Sequence, residues 1–295
     1  MADVAAVVVT YDAMPWLESC LQSLAGVECV VVDHGSSDGS VEAARAAGAT
    51  VVEQENLGLA AGWNRGLRET ESRYVLILNA DAWLVGDALD RLVAFADAHP
   101  LAAVVGPRLR NPDGSLQRSV RGYPTLWRLA TEYFFLRKVA PHSQALNAFY
   151  AGGFDHDRVT EAEFVMGAVM LVRRDAIEQI GPLDEDFFLF SEETDWCFRF
   201  REAGWKVLFY PGAEFCHVGG ASHGGRMFTE NLRGHLRFLA KHRGPKEAER
   251  ARRLLLAALR FRGVLFHGER GQMYRDAADW LASGSAQTLL AAPRA

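Results

Sequence analysis

The chain is poor in the features that mark a secreted or membrane-spanning scaffold. Cysteine is sparse: Cys20, Cys29, Cys197 and Cys216 are scattered through 295 residues, with no paired spacing of the kind that holds a structural metal. A chain of this length buries a sizeable core without covalent staples, so reduced thiols in the cytosol are expected rather than a disulfide framework. The opening stretch MADVAAVVVTYD carries an acid and no basic flank, so no signal segment is expected. No run approaches the ~18 apolar residues of a membrane-spanning helix. Internal repeats and low-complexity tracts are lacking as well. With 49% hydrophobic and 23% charged residues, the composition excludes disorder and allows one large domain, or a domain with a substantial appendage.

What is present is a rhythm. Short β-branched runs at Ala5–Thr10, Cys29–Asp33, Thr50–Val52, Tyr74–Leu78 and Ala102–Val105 alternate with helical patterns near Pro15–Leu24, from Ser40, at Leu59–Glu69 and at Asp87–Ala98. That alternation predicts an α/β fold, a Rossmann-like, mostly parallel sheet flanked by helices. After Pro107 the rhythm breaks. Residues 107–160 mix turn signals such as Asn111-Pro112-Asp113-Gly114 with aromatics and one helix around Trp127–Arg137. Regular signals return with the apolar run Phe164–Val172, a helix near Arg174–Ile180, another opening at Glu192, and a strand at Lys206–Tyr210. Met227–His242, Lys246–Phe261 and Tyr274–Leu281 read as helices. The expected division is a catalytic domain over 1–225, with a nucleotide-binding half (1–106) and an acceptor half (107–225), followed by a helical C-terminal extension (226–295).

In an open α/β sheet, ligands bind beyond the carboxyl ends of the strands. The polar residues there are Thr10-Tyr11-Asp12, Asp33, Asn56 and Asn79-Ala80-Asp81. Singly, each could be a helix cap; four along one rim point to a ligand. Asp33 ends its strand in a turn, and an exposed carboxylate there can accept from the N3–H of a uracil or thymine ring. Gly58, Gly62 and Gly66 allow either a ligand or the neighbouring strand to approach the helix backbone. Asp81 offers the carboxylate oxygens that hard divalent cations prefer, and the helix it could cap starts too far downstream. His217 follows a strand and precedes a glycine-rich loop; on its own, such a histidine is more often a satisfied surface or core residue than a ligand. Glu192, Glu193 and Asp195 suit a helix N-terminus electrostatically, yet they follow the apolar run Phe187–Phe190 and have room for general-base chemistry.

These pieces, in their order and spacing, resemble the family-2, GT-A-fold inverting glycosyltransferases, and in particular the rhamnosyltransferase-like branch that builds bacterial cell-wall and surface polysaccharides. The likeness spans residues 3–225. It is carried by Val8–Tyr11, Val31–Asp33 with Ser36, Asp38, Gly39 and Ser40, Asn56–Gly58 with Gly62–Gly66, and Leu78–Asp81. Further on it rests on Phe164–Ala168, Gly181–Glu185, Glu192–Cys197 with Arg199, and His217 with Gly219, Gly220 and Ser222. The resemblance implies that Thr10, Tyr11, Asp33, Asn56, Asn64 and Asn79 hold the nucleotide sugar, with Asp33 on the pyrimidine edge. It implies that Asp81 and His217 ligate Mn²⁺ or Mg²⁺ with the donor phosphates, and that Glu193 is the catalytic base. The sequence departs from the pattern twice: Asn79 stands where an acid opens the metal motif, and a glutamate stands where the base is commonly aspartate. The second departure keeps Glu192 beside Glu193 as the alternative base.

The implied reaction is transfer of a sugar, L-rhamnose from dTDP-L-rhamnose in the first instance, to a hydroxyl on a glycan or lipid-linked acceptor, with UDP-sugars as the alternative donors. No nucleic-acid partner is expected. A nucleotidyltransferase would need a glycine-rich basic loop after the first strand, which Val9–Pro15 lacks; a non-catalytic sugar-binding relative would not need Asp81, Glu193 and His217. Charge adds one more expectation. Lys241–Arg275 holds ten Lys or Arg against three Glu, whereas the rest of the chain has 22 basic and 34 acidic residues. With Leu254–Leu259 and Val264–Phe266 among the arginines, this stretch is expected to lie on the cytoplasmic face of a membrane or to serve as a packing or dimer element.

Overall fold

The computed structural model describes residues 3–219, 225–284 and 286. Gly220 and Ser222 of the expected motif lie outside them. Along the chain run β1 (Val4–Thr10), α1 (Trp16–Ser23), β2 (Glu28–Asp33), α2 (Ser40–Ala46), β3 (Thr50–Glu53), α3 (Leu59–Arg68), β4 (Tyr74–Asn79) and β5 (Ala82–Leu84). They continue with α4 (Ala88–Ala98), β6 (Ala102–Arg110), β7 (Leu116–Gln117), β8 (Val120–Arg121), α5 (Leu126–Tyr133) and α6 (Leu136–Val139). Then come β9 (Thr160–Glu161), β10 (Phe164–Val165), β11 (Val169–Arg173), α7 (Arg174–Ile180), α8 (Glu192–Glu202) and β12 (Lys206–His217). The chain closes with α9 (Gly225–Arg243), α10 (Pro245–Leu265) and α11 (Gly268–Ala282).

The main sheet runs β3-β2-β1-β4-β11-β6-β12-β5. β1 lies parallel between β2 and β4, in a register that sets Thr10 against Asp33 and Val9 against Asn79. The carboxyl ends of these strands therefore share one edge. β1 is apolar on both faces because both are covered. Val4, Ala6 and Val8 pack with Leu17 and Leu21 of α1 and Leu92 of α4, while Val7 and Val9 face α3. The glycines settle what comes close to α3. A Cβ at Gly66 would lie 2.3 Å from Val7 Cγ1, and one at Gly62 would lie 2.8 Å from Val9 Cγ2. The neighbouring strand thus occupies the space they open, and no side chain larger than hydrogen fits there.

Three expectations are revised. The run Phe164–Val172 is two strands, interrupted by Met166-Gly167-Ala168, and β11 enters antiparallel to β4 and β6. The last strand continues past Tyr210 to His217, with a register irregularity between Tyr210 and Glu214. Finally, the chain divides differently from the expected break at 225/226. Residues 3–120, 156–188 and 192–219 form one compact unit, and 121–155 with 189–191 belong with the C-terminal helices. The cause is apolar: Leu129 and Tyr133 of α5 are buried in one core with Leu232, Leu236, Leu255, Leu259, Tyr274 and Leu281.

That core also corrects the reading of α10. Leu255 and Leu259, expected to face lipid, are fully buried. Arg252 turns inward to Glu249 and the Leu281 carbonyl, and Arg262 donates to the carbonyls of Tyr133 (2.7 Å) and Glu132 (2.8 Å). Two of the arginines therefore satisfy buried helix ends rather than head groups. Phe261, Val264 and Leu265 remain exposed, Val264 at 81%. Among the described residues no helix is long and apolar enough to cross a membrane.

Candidate active site

At the shared edge, the loops after β1 and β2 are laced together by short polar side chains. Asp12 Oδ1 accepts from the Ser37 N–H (2.7 Å), the Asp12 N–H donates to Ser36 Oγ (2.9 Å), and the Met14 N–H donates to Asp38 Oδ2 (2.8 Å). Asp33 is not exposed as expected. It is 1% accessible, and its carboxylate accepts from the N–H groups of Gly35 and Ser36, both at 2.9 Å, and from the Ser36 hydroxyl at 2.5 Å. The turn that was expected to display Asp33 folds over it instead, because its amides need an acceptor. Both amides go to Oδ1, and Oδ2, which takes the hydroxyl, still keeps acceptor capacity.

Thr10 is also buried, and its hydroxyl has no hydrogen-bond partner among the described residues. Tyr11 is 57% exposed. Asn56 accepts from the Gly58 N–H (3.2 Å) and turns the chain into α3. His34, which the sequence did not single out, is buried between Gln54 and Gly62. Burial, opposed by the Asp33 charge and an Asn56 hydrogen bond, pulls its pKa below the ordinary histidine value.

Asn64 also departs from its expected role. Its side chain is spent on the protein: Nδ2 donates to the Leu183 carbonyl and to Glu185 Oε1, and Oδ1 accepts from the Leu183 N–H, all at 2.9 Å. Arg199 and Trp196 hold the neighbouring turn through the carbonyls of Ile180, Pro182 and Gly181, with buried Asp195 fixing Arg199 at 2.8 Å. Asn64 thus pins the Gly181–Glu185 loop. We expect Asn64→Ala to cost about 1–3 kcal/mol of stability and to leave nucleotide affinity unchanged, as read by thermal unfolding and calorimetry. A variant with wild-type Tm and lost nucleotide binding would restore the binding role.

The Asn79–Asp81 turn joins β4 to β5, and β12 runs antiparallel to β5 with His217 opposite Ala82. This pairing brings together residues 136 positions apart. His217 Nε2 lies 3.3 Å from Asp81 Oδ1 and 3.5 Å from Asn79 Nδ2, and the Gly219 N–H donates to Asp81 Oδ2 at 3.1 Å. Burial opposes ionisation of Asp81, but His217 and the Gly219 N–H outweigh it and hold the carboxyl below its ordinary pKa. The far nitrogen, Nδ1, sits 2.6 Å from Gln117 Oε1. Nothing in the local pattern around Gln117 marks it in the sequence. No cluster of three or more His, Cys, Asp or Glu suited to a metal occurs among the described residues. The pair nevertheless fits Mn²⁺ or Mg²⁺, which commonly takes one or two protein ligands and completes its shell with water and substrate phosphate. Only a cation or a proton sits comfortably between Asp81 Oδ1 and Nε2.

Glu193 reaches the same edge. A Cβ on Gly167 would lie 3.4 Å from both Cβ and Cγ of Glu193 and 2.9 Å from Trp63, and the next residue, Ala168, accepts from the Asn79 N–H at 2.9 Å. Gly167 is the cradle in which the glutamate stem lies. Its neighbour Glu192 is 3% exposed, with Oε2 unpartnered among the described residues. Burial, reinforced by the Glu193 charge, raises the Glu192 pKa well above the ordinary value. Glu192 therefore gives up its proton less readily than an ordinary carboxyl. Glu193 is less deeply buried than its neighbour, although one of its carboxylate oxygens, Oε2, is also shielded from solvent.

Residues 5–181 match the profile of glycosyl transferase family 2. Over 241 residues the chain is 31% identical to N-acetylglucosaminyl-diphospho-decaprenol L-rhamnosyltransferase of Mycobacterium tuberculosis, covering 74% of this chain and 76% of that one. It is 25% identical over 182 residues to rhamnosyltransferase WbbL of Escherichia coli, covering 60% and 65% respectively. Among solved structures, the mannosyltransferase PcManGT of Pyrobaculum calidifontis in complex with GDP-Man and Mn²⁺ aligns at a TM-score of 0.56 and 17% identity, covering 98% of this chain and 84% of that one. At that identity the likeness concerns the fold. The chain belongs to glycosyl transferase family 2, and it is a glycosyltransferase of GT-A fold.

Proposed function

We propose that this enzyme transfers L-rhamnose, with inversion, from dTDP-L-rhamnose to a hydroxyl of a glycan or lipid-linked acceptor in cell-wall or surface polysaccharide synthesis. The observation that carries the reading is the Asp81–His217 pair at the carboxyl edge of the sheet, with the stem of Glu193 against Gly167, next to the Ala168 carbonyl that takes the Asn79 N–H. The rhamnosyl donor is supported by the two relatives named for rhamnosyl transfer.

Thr10, Tyr11, Asp33, Asn56 and Asn79 line the donor side. The unpartnered Thr10 hydroxyl and Asp33 Oδ2, with its spare acceptor capacity, are groups a nucleoside can satisfy. Glu193 takes the proton of the acceptor hydroxyl as that oxygen forms its bond to the anomeric carbon. The anomeric carbon–oxygen bond on the opposite face breaks, and the nucleoside diphosphate leaves with the electron pair. Asp81 and His217 would hold Mn²⁺ or Mg²⁺, which when bound supplies counter-charge to the leaving diphosphate. Burial of Glu192, which favours its neutral form, disfavours a second negative charge beside Glu193.

A thermal-shift screen of nucleotide sugars with Mn²⁺ tests the donor, since a ligand of the folded state stabilises in proportion to the logarithm of its occupancy. dTDP-L-rhamnose is expected to give the largest shift and to be consumed on adding acceptor. A larger shift with a UDP-hexose or UDP-galactofuranose would transfer the assignment to that donor.

A peripheral membrane contact belongs to the same reading. It now rests on Phe261, Val264 and Leu265, exposed beside Arg260 at the end of α10, rather than on the buried leucines. Co-sedimentation with anionic vesicles that weakens with salt is expected; no binding to anionic or neutral vesicles would make this end of α10 a packing or dimer element.

A further inference from the structure

The turn Asn111-Pro112-Asp113-Gly114-Ser115 joins β6 to β7, and as a sequence it marks nothing but a change of direction. In the structure it begins a chain of hydrogen bonds that ends on His217, and each link has a fixed polarity. The Asp113 carboxyl, held below its ordinary pKa by the Ser115 hydroxyl and N–H, only accepts. Ser115 spends its hydroxyl hydrogen on Asp113 Oδ1 at 2.5 Å. Its oxygen therefore accepts from Asn111 Nδ2 at 2.8 Å. That orients the Asn111 amide, leaving Oδ1 to accept from Gln117 Nε2 at 2.8 Å. Gln117 Nε2 also donates to the His217 carbonyl at 3.2 Å. With both acceptors on its nitrogen side, the Gln117 amide can present only its oxygen to the ring, 2.6 Å from Nδ1.

We propose that Gln117 is a positioning residue: with its polarity set by the Asn111–Ser115 turn, it keeps a hydrogen on His217 Nδ1 and reserves Nε2 for the cation shared with Asp81. The inference rests on Asp81 and His217 being the cation ligands. A histidine ligand needs its other nitrogen fixed by an outer partner, which sets both the tautomer and the ring angle. Here the partner is a neutral amide whose own orientation is imposed from a surface turn.

The test is ring ¹H–¹⁵N correlation spectroscopy of the ¹⁵N-histidine-labelled full chain, with and without Mg²⁺, alongside Mn²⁺ titration followed by electron paramagnetic resonance in the presence of dTDP. In the wild type, Nδ1 of His217 is expected to be protonated throughout, and Mg²⁺ is expected to perturb Nε2. Gln117→Leu, of similar size without an acceptor, should let the hydrogen populate Nε2 and weaken Mn²⁺ binding by roughly 10–100-fold. Gln117→Glu keeps an acceptor for Nδ1 but loses the donor to Asn111 and the His217 carbonyl, and should restore the tautomer. Asn111→Leu leaves the Gln117 amide nitrogen with the longer 3.2 Å bond to the His217 carbonyl, and should shift the ring in the same direction as Gln117→Leu but by less. An unprotonated Nδ1 in the wild type overturns the proposal with the cation reading intact, and so does a Gln117→Leu variant of unchanged tautomer and Mn²⁺ affinity. An unchanged ring in Asn111→Leu overturns the part assigned to the turn. Wild-type protein that binds no Mn²⁺ with dTDP overturns the cation reading itself.

Discussion

Glu193→Gln is expected to lower kcat by about 10²–10⁴-fold, the range for loss of a general base, with the donor's affinity little changed. The substitution keeps the shape of a side chain whose stem lies against Gly167 and removes only its capacity to accept a proton. Glu192→Gln is the decisive comparison. Glu192 is buried at the start of α8, where burial and the Glu193 charge favour its neutral form, so a neutral isostere in its place should leave kcat near the wild-type value. Single-turnover kinetics with saturating donor separates the chemical step from binding in both variants. If Glu192→Gln causes the larger loss, the two residues exchange roles. If neither slows the chemical step, the base lies elsewhere on the rim.

Asp81→Ala is expected to be at least as severe. It removes the carboxylate that faces His217 Nε2 at 3.3 Å, and with it the negative charge needed to hold a divalent cation under the donor diphosphate. Counter-charge of this kind supplies several kcal/mol to the transition state, so a loss of kcat/KM of about three orders of magnitude or more follows. The fold should survive, because Asp81 sits in a turn and its carboxylate holds the Gly219 N–H just past the end of β12, outside the apolar core. Chelator should bring the wild type to the same level and have no further effect on the variant. Near-normal turnover by Asp81→Ala in the presence of chelator would remove both Asp81 and the cation from the mechanism.

The architecture was written locally, and so the sequence by itself determined it. Apolar runs such as Val4–Val9 demand burial on both faces, and the turn-formers after them stop each strand. Helices of amphipathic period follow, and that alternation has few solutions other than a parallel sheet with its carboxyl ends on one edge. The presence of Thr10, Asp33, Asn79 and Asp81 on that edge needed no coordinates. What those residues do there was a different matter. Whether Asp33 and Asn64 face a ligand or the protein depends on which backbone amides fold over them, and these come from residues 35–36 and 183. Gly62 and Gly66 could have admitted a phosphate; the valines of β1 fill the space instead.

Glu192 and Glu193 are neighbours in sequence but lie about 100° apart around a helix, and only the packing of α8 decides how deeply each is buried. The segment 121–155 carries no strong period of its own, and its allegiance to α9–α11 is set by Leu129 and Tyr133 finding a core supplied from more than 95 residues away. The pairing of His217 with Asp81, and of Gln117 with His217 across a separation of 100 residues, follows from β5 pairing with the end of β12 and from β7 pairing with β6, the other neighbour of β12. Local propensity carries no record of contacts at such separations, because their free energy is realised only once the sheet has closed around them.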